Sequence, residues 1–246
     1  MHTTDLYDAI FKRKSIRRLE STPLDEDTLR RIRGNLTEPI SLYGDIGTEL
    51  RILPENSVTG LFGVKAPHYL ALFSERREGY LTNAGFILQQ MDLYLSANGV
   101  GSCWLGAARP SRRHIESSEL SFVISLAFGR PSGSIHRGSP SEFRRLPLES
   151  IRDATGVDDL LEPARLAPSA SNSQPWFFTG DPTRINVYVS KPNLLSRLSL
   201  VDGGIAISHI WIAATHKGKK IQTFMDHEAA RDPPQGKLYV TTLKLT

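Results

Sequence analysis

Two long apolar stretches constrain the fold more than any other feature of the sequence. Leu81 to Asn98 and Asp202 to Thr215 both follow helical spacing, and both have too few polar residues to present a wet face. A glycine cap ends each of them, at Gly99 and at Gly218. Because a helix that is apolar on every side must be covered on every side, we expect the two helices to pack together in one core.

The elements around these helices occur in the same order twice. In each half a helix leads to a loop, a strand, the buried helix, its glycine cap and a further strand. Strands are predicted over Glu49 to Pro54, His68 to Ser74, Val100 to Gly106, Ser121 to Phe128, Arg184 to Ser190, Lys220 to Met225 and Lys237 to Leu245, and shorter helices over Asp5 to Arg13, Pro23 to Leu36 and Asp158 to Arg165. The Ser/Gly/Pro-rich loop 132–140 is the best boundary. The sequence therefore predicts a first half, 1–140, and a second, shorter half, 141–246, which form one compact unit.

Composition limits the class of protein. Of the 246 residues, 39% are hydrophobic and 23% charged, as in an ordinary soluble globular protein. A single cysteine, Cys103, excludes a disulfide within the chain and favours a reducing, cytoplasmic location. The polar N-terminus predicts no signal peptide, and no apolar run suggests a membrane span. The net charge of +4 allows a phosphate ligand but is modest for a nucleic-acid-binding protein.

A basic segment follows the first predicted helix. If residues 13–18 are extended, the side chains of Arg13, Ser15 and Arg17 project to one side, while Ile16 faces the core. Two guanidiniums around a hydroxyl suit a phosphate group. A solvated basic run or a nucleic-acid-binding patch is the alternative.

The second candidate is the stretch Ala167-Pro168-Ser169-Ala170-Ser171-Asn172-Ser173-Gln174-Pro175-Trp176. Pro168 disfavours helical backbone at Ala167, so the preceding helix should end there. Between the two prolines lie short hydroxyl and amide side chains, which favour a rigid loop whose backbone can approach a ligand closely. On composition alone, an ordinary polar loop is the alternative.

Together the two motifs resemble those of the flavin-dependent nitroreductase family. Arg13-x-Ser15-x-Arg17 is similar to the family's FMN-phosphate motif, and Pro168-Ser169-x-x-Asn172-x-Gln174-Pro175-Trp176 to its flavin-side loop. Three later segments, 99–106, 126–131 and 144–147, also resemble the family, the last of them as a basic phosphate contact. The resemblance covers most of the chain. It implies a nitroreductase-like α+β fold with central β-sheets surrounded by helices.

The resemblance implies an FMN-dependent NAD(P)H oxidoreductase. Such an enzyme takes two electrons from NADH or NADPH and passes them to a nitroaromatic, a quinone or a similar acceptor in a ping-pong reaction. No catalytic side chain is needed, since the backbone near Leu105 and Gly106 would face the flavin. The residues implied to bind the cofactor are Arg13, Ser15, Arg17, Leu105, Gly106, Arg144, Arg145, Pro168, Ser169, Ser171 and Asn172, and Arg145 fits its family position better than Arg144.

The two motifs lie in different halves, which departs from the family pattern. Ordinary members carry both in one half-length chain and assemble each flavin site from two subunits. Here the loop position after the first helices holds residues 38–42, Glu-Pro-Ile-Ser-Leu, and the second half lacks a good Arg-x-Ser-x-Arg. We therefore expect a fused pseudo-dimer, monomeric or weakly homodimeric, with one FMN site between the halves and a decayed second site.

Two other functions stay open at this point: a flavin-binding or sensing protein without turnover, and a basic protein that binds nucleic acid through residues 12–18. A small-molecule acceptor is the expected partner, with no nucleic acid, membrane or metal. The remaining conspicuous residues receive structural interpretations: Trp176 and Trp211 belong to the core, Cys103 is a small buried apolar residue, the scattered histidines lack metal-binding spacing, and 226–228 form a charged turn.

Overall fold

The structure, a computed structural model, describes residues 2–60, 63–192 and 197–246. Within these ranges the chain forms seven α-helices and ten β-strands. The helices are α1 Thr3–Ile10, α2 Glu26–Gly34, α3 Tyr80–Ala97, α4 Arg112–Glu116, α5 Asp158–Arg165, α6 Leu198–His216 and α7 His227–Arg231. The strands are β1 Thr48–Pro54, β2 Val58–Gly60, β3 His68–Ser74, β4 Gly101–Leu105, β5 Ala108–Pro110, β6 Ser121–Gly129, β7 Trp176–Asp181, β8 Arg184–Ser190, β9 Ile221–Phe224 and β10 Lys237–Leu245.

Two antiparallel four-stranded sheets form the framework. Their strand orders are β1-β3-β6-β4 and β7-β8-β10-β9. In each sheet the two strands that come first along the chain pair with each other, and a long helix follows them. The fourth strand of the sheet along the chain then inserts between its second and its third. The repeated order of elements predicted from the sequence is thus present, and short helices, α4 and α7, occupy the same position in both repeats.

The long helices α3 and α6 meet at the centre of the core. Both are buried along most of their length, as their composition predicted. Two glycines let the backbones touch: a Cβ on Gly85 would lie 2.0 Å from the carbonyl oxygen of Val201, and one on Gly204 would lie 1.9 Å from that of Thr82. Larger residues at either glycine would force the helices apart, because the atoms in the way belong to the backbone.

One buried histidine joins a third helix to this pair. Nδ1 of His209 lies 2.8 Å from the carbonyl oxygen of Pro163 on α5, and its Nε2 lies 3.0 Å from Nε2 of Gln89 on α3. Full burial lowers the pKa of His209 to about 3, so the ring is neutral. The carbonyl therefore accepts from Nδ1–H, and the amide of Gln89 donates to Nε2. These contacts hold α5 in place, and α5 leads directly into the loop that begins at Ala167.

Most element bounds agree with the sequence prediction, and the differences have local causes. Asp226 accepts hydrogen bonds from the N–H groups of Glu228 and Ala229, so the expected charged turn is instead the capped start of α7. β7 was not predicted, because its apolar run is short and its pairing with β8 makes it a strand. Trp176, at the start of β7, is 1% exposed and belongs to the core as expected.

The architecture is α+β with antiparallel sheets, as the sequence indicated. α3 packs on the first sheet and α6 on the second, and one hydrophobic cluster runs through all four layers. α6 is long and apolar enough to cross a membrane by length and composition, but most of it is buried inside the protein. It is therefore explained as a core helix.

Candidate active site

A cleft of about 830 Å³ is lined by segments that are distant in the sequence. One side consists of Ser15, residues 17–19, residues 63–65 and the end of β4. The other side consists of residues 168–171 and the first turns of α6. We call it the first cleft. Its volume is within the range of cofactor and small-molecule sites.

The first cleft brings together many of the residues that the sequence analysis proposed for cofactor binding. Those that line it are Ser15, Arg17, Leu105, Gly106, Pro168, Ser169 and Ser171. Arg13, Arg144, Arg145 and Asn172 do not line it. The side chain of Arg13 nevertheless donates to Ser15 and therefore lies directly behind the lining, and the backbone N–H of Asn172 donates to the carbonyl oxygen of Ser169.

Arg13 belongs to a buried network behind the cleft wall. It is 1% exposed, its Nη2 donates to Oγ of Ser15 at 3.2 Å, and its Nε lies 3.1 Å from Oδ2 of Asp92 as an ion pair without hydrogen-bond alignment. Asp92, on α3, also accepts bonds from Oγ of Ser102 and Nε1 of Trp104. Trp104 lines the cleft, so the network fixes that wall to the central helix. Ile16, next along the chain, is buried as the alternation predicted.

The loop after α5 is held in a strained backbone conformation. Ser171, Asn172 and Gln174 have φ values of 52°, 58° and 48°, which residues other than glycine rarely adopt. Oγ of Ser169 accepts a bond from the N–H of Gln174 at 2.9 Å, and Oε1 of Gln174 accepts one from the N–H of Leu146 at 2.8 Å. Backbone strain persists only where contacts over-determine it, and it clusters at ligand sites.

Asn172 uses both ends of its amide within the protein. Nδ2 donates to the carbonyl oxygen of Arg144 at 3.1 Å, and Oδ1 accepts from Nη1 of Arg145. The amide therefore ties the loop to residues 144–145. Arg144 itself has an exposed side chain, whereas the side chain of Arg145 is half-buried.

Three guanidiniums form an arginine cluster, Arg13, Arg137 and Arg145, that reaches the cleft through Ser15. Arg137 donates to the carbonyl oxygen of Arg13 and lies over the ring of Phe143, 4.1 Å from its centroid. Burial, and then the charge of Arg13, lowers the pKa of Arg137 to about 10. Burial and the charges of Arg13, Arg137 and Arg165 lower the pKa of Arg145 to about 10 as well, and its Nε is buried without a partner. A bound anion would stabilise such a cluster.

Asp202 is the only acidic residue among the described residues that line the first cleft. It is 3% exposed, and both of its oxygens accept the N–H of Ala170, at 3.1 and 3.2 Å. Burial raises the pKa of Asp202 to about 7, and the Ala170 hydrogen bond offsets only part of that effect. The carboxyl group can therefore hold or release a proton near neutral pH.

The sequence analysis missed four charged residues at this site. Arg18, Lys65 and Asp202 line the first cleft, and Arg137 belongs to the arginine cluster. Asp202 could have been identified from the sequence, because it is the one Asp, Glu, Lys or Arg residue in a predominantly apolar helix. Arg18 belongs to the basic segment 13–18, although it was not proposed as a site residue. Lys65 and Arg137 carried no signal, since only the tertiary fold brings their loops to the site.

The remaining side chains have structural explanations. Cys103 lines the cleft but is buried, and burial raises the pKa of its thiol, which disfavours the reactive thiolate. No group of three or more potential metal ligands occurs within residues 2–60, 63–192 and 197–246.

The family model described below, together with the fold, makes this chain a nitroreductase-like oxidoreductase. A crystal structure described as a putative nitroreductase from Thermotoga maritima MSB8 shares the fold with a TM-score of 0.68 and 21% identity, over 100% of this chain and 94% of that one. A family model described as "Putative TM nitroreductase" matches residues 5–214, and the chain belongs to that family. A search of curated proteins finds no match.

Two smaller structures match part of the chain. A nitroreductase family protein from Clostridium difficile 630 is 16% identical over 61% of this chain and 96% of its own, with a TM-score of 0.47. An FMN-dependent nitroreductase from Clostridium difficile R20291 is 15% identical over 57% of this chain and 93% of its own, with a TM-score of 0.44.

Proposed function

We propose that this protein is an FMN-dependent NAD(P)H oxidoreductase that reduces nitroaromatics, quinones or similar acceptors. The arginine cluster carries the proposal. Arg13 is paired with the buried carboxylate of Asp92, but Arg137 and Arg145 are desolvated beside it with depressed pKa values. A phosphate monoester would supply the missing negative charge and accept several charged hydrogen bonds.

The first cleft supports the same cofactor, because it would hold the flavin ring, at the opposite end of FMN from the phosphate. Its lining includes the apolar side chains of Leu105, Ile124 and Ile205, which suit a planar ring. Ser169 and Ser171 add polar groups at one side. At Gly106 a Cβ would lie 2.9 Å from Cδ1 of Leu198, so glycine keeps the backbone close to the opposite wall.

The protein's own residues bind and orient in this proposal. When bound, FMN would supply two-electron chemistry between a nicotinamide and the acceptor. Arg137 and Arg145 would hold its phosphate together with Ser15, and Arg13 would hold Ser15 in place. Asp202 would hold a proton on its carboxyl group inside the cleft near neutral pH.

We also propose a fused pseudo-dimer, with halves 1–140 and 141–246, that contains one FMN site. The identical strand order of the two sheets supports this, as does a cleft lined by residues from both repeats. Under this proposal the protein is a cytoplasmic monomer or weak homodimer, and it binds one FMN per chain.

FMN titration, followed by quenching of flavin fluorescence, tests the proposal. Arg145→Ala should weaken FMN binding by about 10- to 100-fold, because a charged hydrogen bond is worth about 1.5–3 kcal/mol. Arg144→Ala is the matched control: it removes the same charge one residue away, from an exposed side chain, and should change affinity by less than about twofold. Equal effects of both variants would remove the arginine cluster from the site. A wild-type protein that does not bind FMN would refute the cofactor assignment.

Steady-state oxidation of NADH or NADPH in the presence of a quinone separates an enzyme from a flavin-binding protein without turnover. Turnover that depends on FMN is the expected result. Tight FMN binding without turnover would favour the sensing alternative, and a colourless protein that binds nucleic acid would favour the basic-patch alternative.

A further inference from the structure

A second cleft, of about 760 Å³, lies on another part of the protein. Its described lining comes from the loop after α2, the start of α3, β9 and β10, with Pro192, Arg197 and Leu200. It shares no described lining residue with the first cleft. None of the residues proposed for flavin binding takes part in it.

The second cleft occupies the position that the repeat makes equivalent to the first. The first cleft uses β4, β6 and the start of α6, and the second uses β9, β10 and the start of α3, which are the corresponding elements. Asn83 lies two residues before Gly85 on α3, as Asp202 lies two residues before Gly204 on α6. Oδ1 of Asn83 accepts the backbone N–H groups of residues 42–43, at 2.9 and 3.2 Å, just as Asp202 holds its own loop. The scaffold is therefore preserved at both positions.

The charges of the two clefts differ. The first is lined by Arg17, Arg18 and Lys65 against the single carboxyl group of Asp202, and the arginine cluster lies behind it. Among the described residues, the second is lined by two acidic and two basic ones, Asp45, Glu78, Arg77 and Arg197. Arg77 and Asp45 pair with each other at 3.0 Å. The second cleft is therefore balanced in charge and offers no cationic pole for a phosphate.

The second cleft also collects exposed apolar side chains. Phe224 is 41% exposed, Met225 51% and Leu238 38%, and only Ile40 and Leu146 among the other described large hydrophobic residues are comparably exposed. Rings of Tyr43, Tyr80 and Tyr239 complete the wall. The hydroxyl of Tyr43 stays neutral, since burial raises its pKa to about 12. Concave apolar surface with aromatic walls and no net charge is typical of sites for small, neutral aromatic ligands.

We propose that the second cleft is a binding site for a neutral, planar aromatic small molecule that lacks a phosphate group. The equivalent scaffold supplies the cavity, its aromatic side chains suit a planar ligand, and the balanced charge excludes the anionic cofactor proposed for the first cleft. Binding there does not depend on whether the first cleft holds a flavin.

The test uses N-phenyl-1-naphthylamine, a neutral fluorescent naphthalene, titrated into the full chain in the presence of saturating FMN. One saturable site per chain is expected. Phe224→Asp should weaken probe binding at least tenfold, because it places a charge in the apolar wall from an already exposed position. Leu146→Asp is the matched control: the side chain is 43% exposed and lines neither cleft, so affinity should stay within about twofold.

Five results would overturn the proposal. Four of them concern binding: the absence of saturable probe binding, equal losses in the two variants, displacement of the probe when FMN is added to a protein–probe complex prepared without FMN, and two FMN molecules per chain. A concentration-dependent dimer that Phe224→Asp dissociates, seen by sedimentation velocity without probe, would likewise make the patch a contact between copies. If the probe binds as expected while FMN does not bind at all, the flavin proposal fails and this one stands.

Discussion

Asp202→Asn should make the protein more stable at neutral and alkaline pH. Asp202 is buried, and burial raises the pKa of its carboxyl from the ordinary 3.8 to about 7. Its structural contact is one N–H, that of Ala170, which an amide oxygen can accept equally well. Asn83 shows that the scaffold tolerates the amide, since it makes the corresponding loop contacts on α3.

The sign of the effect follows from the raised pKa. Below pH 3.8 the carboxyl is protonated in both the folded and the unfolded chain, so it does not penalise folding. Between pH 3.8 and about 7 the unfolded chain loses its proton first, and the free energy of unfolding falls as the pH rises. Each unit by which the pKa is raised is worth about 1.4 kcal/mol. The ionised carboxyl can therefore lower the free energy of unfolding by about 4 kcal/mol at most. Because local relaxation and water entry reduce such penalties, we expect a gain of about 1–3 kcal/mol for Asp202→Asn at pH 8 and almost none at pH 4.

Urea denaturation at pH 4, 6 and 8, without FMN, measures the difference. The reciprocal variant Asn83→Asp is the control, since it places a carboxyl at the equivalent buried position and should lose stability as the pH rises. If Asp202→Asn is no more stable than the wild type at pH 8, the argument from burial is wrong. The same would follow if its advantage were equal at pH 4 and pH 8.

The helix contact and the buried ion pair give two further predictions. Gly85→Ala and Gly204→Ala should each destabilise the protein by about 3 kcal/mol or more in thermal or urea unfolding, because the added Cβ meets backbone about 2 Å away. Gly34→Ala, with nothing within 4 Å, should be neutral or stabilise by up to about 1 kcal/mol. Arg13→Leu should cost about 3–5 kcal/mol because it leaves Asp92 buried without its cation, and adding Asp92→Leu should recover much of that loss in a double-mutant cycle.

The spacing of hydrophobic residues, together with the glycine and proline residues that end helices and strands, was sufficient to predict most of the helices and strands. α5, β3, β8 and β10 begin and end where the sequence analysis placed them, since each is a strongly patterned run between turn residues. The ribbon of β2 and β5 was missed, because two three-residue strands have no pattern apart from their pairing with each other. Local signals thus suffice where an element buries its own face, and they fail where pairing alone defines it.

The candidate site was less predictable, for a related reason. Ser15 and the 168–171 loop could be identified from sequence motifs, because the local order of residues determines the backbone conformation there. Lys65 and Arg137 were not found, because their place at the site depends on how distant loops return to it. Asn172 was expected to bind the cofactor, which stays a prediction, and its amide joins the loop to residues 144–145. The sequence indicates which side chains are chemically suitable, and only packing determines which of them face the cavity.

The contact between α3 and α6 links the fold to the chemistry of the cleft. Gly85 and Gly204 bring the two helices to backbone contact, and the polar side chains two residues before them, Asn83 and Asp202, are buried beside that contact. Burial raises the pKa of Asp202, whereas the amide of Asn83 has no charge to desolvate, although its Nδ2 is buried without a partner. An amide would hold the Ala170 loop without that cost. Asp202 lowers the stability of the fold at a position where a more stabilising residue would be accepted. Such a residue is expected where its side chain contributes to the site rather than to stability. Asp202→Asn should therefore lower turnover while it raises stability, and unchanged turnover across pH 6–8 would assign the carboxyl to neither binding nor proton transfer.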